Sequence, residues 1–140
     1  QIWNDLFLRG AVAGTQRATR AGAGGWLYRF DMKATVPFLG SRLGATHAAE
    51  IAFTFNTVAD DSILNLYDGD DPDVKRLAQV WSDTVIAFAS TGNPNGAGLP
   101  QWQPYGADNR ETLVLDANPR IEANLVRERV AELGAVGMQF

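Results

Sequence analysis

The feature that most constrains this chain is a shortage of partners for its most aromatic stretch. Residues 26–31, Trp-Leu-Tyr-Arg-Phe-Asp, put Trp26, Tyr28 and Phe30 on one side of a strand and Leu27, Arg29 and Asp31 on the other. Aromatic side chains bury a large area, so a strand of this kind has to lie in a sheet. Only residues 112–116, Thr-Leu-Val-Leu-Asp, offer a second convincing strand, and two strands do not make an independently stable sheet. The chain therefore reads as part of a larger fold. Its first residues, Gln1-Ile2-Trp3, carry no initiator methionine and no signal-peptide core, which fits the interior of a longer polypeptide.

Composition narrows the classes further. The 140 residues are enough for a hydrophobic core, and the net charge of −4 argues against nucleic acid or an anionic membrane as the main partner. No apolar run approaches the roughly 20 residues needed to span a bilayer. Zero cysteines exclude disulfides, thiolate metal sites and a cysteine nucleophile, and a single histidine gives no ligand set for a transition metal. No metal site is expected, and an all-carboxylate site for a hard cation stays open without support. The composition permits a cytoplasmic or a secreted location equally.

Helical signals flank the strands. Trp3, Leu6, Phe7, Ala11, Ala18 and Ala21 recur at mostly three- and four-residue steps, giving a helix over 3–21 that the glycines at 22, 24 and 25 stop; Gly10 and Gly14 weaken its interior, leaving two shorter pieces as the alternative. Asp71-Pro72-Asp73 supplies an N-cap, a first-turn proline and a carboxylate at the positive end of a dipole. The helix it opens carries Val74, Leu77, Ala78, Trp81, Val85 and Phe88 on one core-facing stripe, and Gly92 caps it ahead of Pro94. Residues 119–132 also read as helical, with Ile121, Leu125, Val126 and Val130 among mixed charges. The aspartates at 60, 61, 68, 70 and 71 lack the ordered pattern of a calcium loop and read as solvated turns. Residues 33–43, broken by Pro37 and Gly40, form an apolar loop ahead of the only histidine.

That histidine, His47, stands in Gly44-Ala45-Thr46-His47-Ala48-Ala49-Glu50, followed by the apolar, helix-compatible Ile51-Ala52-Phe53-Thr54-Phe55. Histidine exchanges a proton near neutral pH without perturbation, so a histidine on a loop suits a general base. The segment resembles the catalytic-histidine motif of the type-B carboxylesterase and cholinesterase family, Gly-Ala-x-His-Gly-x-Glu ahead of an apolar run; Ala48 stands where that family often has glycine. Downstream, Trp81, Phe88 and Thr91-Gly92-Asn93-Pro94-Asn95, then Trp102, Pro104 and Tyr105, resemble further features of the family in the same order.

The resemblance implies an α/β-hydrolase fold, a central and mostly parallel sheet flanked by helices, of which residues 1–140 form a C-terminal segment, incomplete alone. It implies a carboxylic-ester hydrolase with a serine, histidine and acid triad, acting on a small-molecule ester without a cofactor. In α/β-hydrolases the histidine comes last in chain order, and the serine sits in Gly-x-Ser-x-Gly. None of Ser41, Ser62, Ser82 and Ser90 has that setting, and no glycine run suits an oxyanion hole. The partner expected is the N-terminal portion of the same enzyme, in the same chain or a separate one, supplying serine, acid and oxyanion hole. His47 is then the general base. Glu50, one turn on, is assigned a supporting structural role, since its place in the motif is not that of the triad acid. The alternative is a cholinesterase-like interaction or adhesion domain that keeps the fold without the nucleophile.

Overall fold

The computed structural model describes residues 2–60, 66–96, 98–106 and 108–125, with side chains from residue 8 onward. In chain order the elements are α1 (Ile2–Arg20), β1 (Leu27–Phe30), α2 (Ile51–Thr54), α3 (Pro72–Thr91), β2 (Glu111–Leu115) and β3 (Arg120–Ala123). The three strands pair in the order β1-β2-β3. The Asp31 N–H, just past β1, donates to the Leu115 carbonyl at the end of β2 (2.8 Å), while the Tyr105 N–H donates to Gly25 ahead of β1 (2.6 Å). Those pairings set β1 and β2 running the same way. β2 and β3 are joined by four residues, too few for a crossover, so they form an antiparallel hairpin.

The chain divides into two compact units. The first comprises Gln1–Tyr28, Trp102–Leu113 and Ile121–Phe140. Its α1 runs unbroken through Gly10 and Gly14, both of which face open space. The helix ends in a Schellman turn: Gly22, at φ +77°, donates to the Thr19 carbonyl and Ala23 to the Ala18 carbonyl. Gly25 then lies where a Cβ would come within 2.6 Å of the Thr15 carbonyl oxygen, so only glycine lets the chain pass that close to α1. Val12, Leu27 and Tyr105 form the buried cluster of this unit, with Leu8 packed against it. Burial raises the Tyr105 phenol pKa above its ordinary value, against a smaller opposite effect of Arg110.

Two expectations need correction here. Leu27, not the aromatic row, is the buried residue of β1, and Tyr28 is 41% exposed. Trp26 folds back over Gly24, and its indole N–H donates to the Trp102 carbonyl (3.2 Å). The helix expected over 119–132 is a strand at its start: Arg120–Ala123 is β3, and the Asn124 N–H donates to Arg110 (3.1 Å). Turn chemistry decides this, because the Asp116 carboxylate accepts from the Asn118 N–H (2.8 Å) and also pairs with Arg120, turning the chain back onto β2. Residues 126–132 of the expected helix lie outside the described residues.

The second unit comprises Arg29–Gln101 and Val114–Arg120. In α3, Asp71 caps the N-terminus with Oδ1 accepting from Asp73 N–H (2.8 Å) and Val74 N–H (3.3 Å), and Gly92 closes the other end at φ +75°. Val74, Leu77, Ala78 and Trp81 are buried as their spacing predicts. Beyond them the buried line turns to Thr84, and Phe88 is 45% exposed. Thr84 tolerates burial because its hydroxyl donates to the Val80 carbonyl (2.7 Å). Arg76 ties this helix to the turn after β2 by donating to the Ala117 carbonyl (2.6 Å).

Candidate active site around His47

The second unit builds the histidine turn from the end of β1 onward. Past Asp31, the Ala34 N–H donates to the Leu43 carbonyl (3.1 Å), and the Thr35 and Val36 N–H groups both donate to Leu66 (3.0 Å each). Within that frame Phe38 and Ser41 exchange both backbone hydrogen bonds across a two-residue turn. Leu39 and Gly40 have φ of +49° and +80°, the signature of a type I′ hairpin, and Leu39 is 91% exposed at its tip.

His47 follows in an exposed turn. The Ala49 N–H donates to the Thr46 carbonyl and the Ile51 N–H to the Ala48 carbonyl (3.2 Å each). Ala48 itself sits at φ +64°, a left-handed conformation that costs an alanine roughly 1–2 kcal/mol. The position where the esterase motif often has glycine therefore has glycine's backbone conformation but a methyl group on it.

The turn leads into α2, a single helical turn, and two sets of contacts hold it. Phe53, fully buried, meets Phe30 edge-on at 5.0 Å between ring centroids and Tyr67 at 4.7 Å; Phe30 and Tyr67 lie 6.4 Å apart. Such edge-to-face pairs are each worth about 0.5–1.5 kcal/mol beyond their buried area. The Tyr67 hydroxyl donates to the Met32 carbonyl (3.0 Å), closing the triangle onto the segment that leaves β1. On the other side, Trp81 of α3 donates its indole N–H to Thr54 Oγ1 (3.0 Å), and that hydroxyl donates to the Glu50 carbonyl (3.0 Å).

Glu50 is half-buried at the start of α2, and its side chain makes no capping bond there. Burial, and next the Glu50 carboxylate, push the Tyr67 phenol up to about 12. The carboxylate thus makes itself felt at the Tyr67 side of the turn. His47, Glu50, Phe53, Thr54 and Tyr67 all belong to this unit, as does Trp81. Thr54, Tyr67 and Trp81 went unread as site residues in the sequence. Tyr67 and Trp81 stand 13 and 27 residues from Thr54, and no local spacing links such pairs.

The described serines do not offer a nucleophile turn. Ser41 lies in the hairpin bridge, and Ser82 and Ser90 lie within α3, where the Ser90 hydroxyl donates back to Ile86 (2.8 Å); Ser62 is outside the described residues. The glycines after α1 serve the helix stop and close packing. The aspartates at 68, 70 and 71 are used in turns, the helix cap and a pair with Lys75. Among the described residues no group of three or more histidine, aspartate or glutamate side chains is placed to hold a metal, and no helix is long and apolar enough to cross a membrane.

The sequence model of the carboxylesterase family matches residues 1–133. The para-nitrobenzyl esterase of Bacillus subtilis is 33% identical over 129 residues, covering 91% of this chain and 25% of that protein. The phenmedipham hydrolase of Pseudarthrobacter oxydans is 35% identical over 115 residues, 81% of this chain and 22% of that protein. A crystal structure of a Geobacillus stearothermophilus carboxylesterase superposes with a TM-score of 0.67 at 31% identity, over 89% of this chain and 24% of that one. These likenesses make the fold part of an α/β-hydrolase. The chain belongs to the carboxylesterase family, and it spans about a quarter of the length of the relatives it matches.

Proposed function

We propose that this chain supplies the histidine general base of a serine carboxylic-ester hydrolase. One observation carries the reading: His47, the only histidine, stands exposed on a turn whose next residue is held at φ +64° and whose continuation is clamped at Phe53 by the rings of Tyr67 and Phe30. A general base needs access to substrate together with a fixed backbone, and this turn provides both. In the proposed reaction His47 takes the proton of a serine hydroxyl as its oxygen attacks the ester carbonyl. It returns that proton to the departing alcohol, then repeats both transfers with water to release the acid. The reaction requires no cofactor.

The nucleophilic serine, the triad acid and the oxyanion hole are assigned to the portion of the enzyme that corresponds to the rest of its relatives' length. Residues 1–140 would then be one segment, towards the C-terminal end, of a single α/β-hydrolase domain. The names para-nitrobenzyl esterase and phenmedipham hydrolase support a para-nitrobenzyl ester and phenmedipham as first substrates to try.

In this reading Glu50 supports the turn through its backbone carbonyl, which accepts from Thr54, and its carboxylate is not the triad acid. Its influence falls on the Tyr67 phenol, and it belongs to the same short backbone segment as His47. Glu50→Gln should keep most of the ester hydrolysis while lowering the Tyr67 pKa from about 12 towards its ordinary value. A loss of activity as deep as that of His47→Ala would reverse the assignment.

The reading is tested by labelling the native protein with a fluorescent fluorophosphonate and separating the polypeptides under denaturing conditions. Label is expected on a polypeptide, or a region of a longer one, outside residues 1–140. Label on one of Ser41, Ser62, Ser82 or Ser90 would overturn it.

A further inference from the structure

We infer that Thr54 and Trp81 are positioning residues for His47, acting through the Glu50 peptide. The inference rests on the assignment of His47 as general base. A lone helical turn such as α2 has little stability of its own, because the cost of nucleation is not recovered over four residues. The backbone that carries His47 must therefore be fixed from outside, and the left-handed Ala48 beside it adds strain that the surroundings have to absorb.

Thr54 meets that need with one side chain. Its Oγ1 accepts the indole N–H of Trp81 (3.0 Å) and donates to the Glu50 carbonyl (3.0 Å), which also accepts the Thr54 backbone N–H (2.8 Å). A hydroxyl has one proton to give. With the indole N–H on its lone pair, that proton is directed at Glu50, so the rotor is locked. Trp81 is itself only 5% exposed, on a twenty-residue helix capped at both ends. The chain of bonds thus runs from a rigid helix to a carbonyl three residues beyond His47. A side chain bonding back to the carbonyl four residues earlier is common, but a buried indole fixing the direction of that bond is not part of helix formation.

The consequence is kinetic. A shift of the Glu50 peptide tilts the 47–50 turn and moves the imidazole off the line between nucleophile and leaving group, to which transition-state geometry is more sensitive than substrate binding.

The test uses the complete esterase carrying this segment, with a para-nitrophenyl ester as substrate. Thr54→Val keeps the shape and removes both hydroxyl bonds; Trp81→Phe removes the indole donor; Thr54→Ser keeps the hydroxyl. The first two are expected to lower kcat by roughly tenfold with KM within about twofold. Thr54→Ser should stay near the parent, and the double variant Thr54→Val/Trp81→Phe should be no worse than the weaker single one, since both break one relay. Thermal midpoints are measured on every variant. A lowered midpoint with unchanged kcat assigns the pair a purely structural role and overturns the inference. If Thr54→Val does not fold, Trp81→Phe is judged by the same criteria. His47→Ala, run alongside, separates the two levels: full activity there sinks the general-base reading, whereas an inactive His47→Ala beside undiminished Thr54→Val and Trp81→Phe sinks this inference alone.

Discussion

Ala48 shows most sharply how one residue can be tuned against its backbone. At φ +64° a Cβ is disfavoured, and glycine relieves the clash while giving the unfolded chain more freedom. The net effect of Ala48→Gly should be a gain of about 0.5–1 kcal/mol in urea unfolding, and Ala48→Val should lose about 1 kcal/mol or more because a β-branched side chain tolerates this region worst. Equal stability of all three would mean that the turn does not hold its left-handed residue. Tyr67 gives a second residue-scale test. Its phenol titrates near 12 in the folded protein against 10.0 for a free tyrosine, so it keeps its proton longer folded than unfolded. Its contribution to stability is complete below pH 10 and is lost as pH rises through about 12. Ultraviolet difference titration of the parent against Tyr67→Phe should show one phenolate appearing near the upper value.

Among the elements, α3 was the easiest to read and β3 the hardest. Asp71, Pro72 and Gly92 mark both ends of α3 by local chemistry, and the structure keeps those ends. Asp71→Ala should cost about 1 kcal/mol, measured by chemical unfolding, because the carboxylate satisfies two backbone N–H groups that nothing else in the first turn can. An unchanged midpoint would mean that the cap contributes nothing. In the sequence β3 has a helical spacing, with Ile121 and Leu125 four apart, while the signal that reverses the chain is the bonding of Asp116 to Asn118 and Arg120. The helix α1 survives Gly10 and Gly14 for a related reason: both face open space, so each costs propensity without costing contacts.

At the scale of the molecule, local order and long-range order were legible to different degrees. His47, its turn and the apolar run after it could be identified because the motif is short and contiguous. The clamp around it could not. Phe30, Phe53 and Tyr67 meet from three separate stretches, and the Trp81–Thr54 bond spans 27 residues. Among the described residues the sheet has three strands even with β3, and the chain covers about a quarter of its relatives' length. The central claim is that His47 moves the proton in ester hydrolysis, and the most direct measurement is kcat/KM of His47→Ala in the complete enzyme with a para-nitrophenyl ester. The account predicts a fall of at least about 10³-fold with an unchanged thermal midpoint. A variant that retains activity within about threefold of the parent would contradict it, since general-base catalysis alone is worth far more than that.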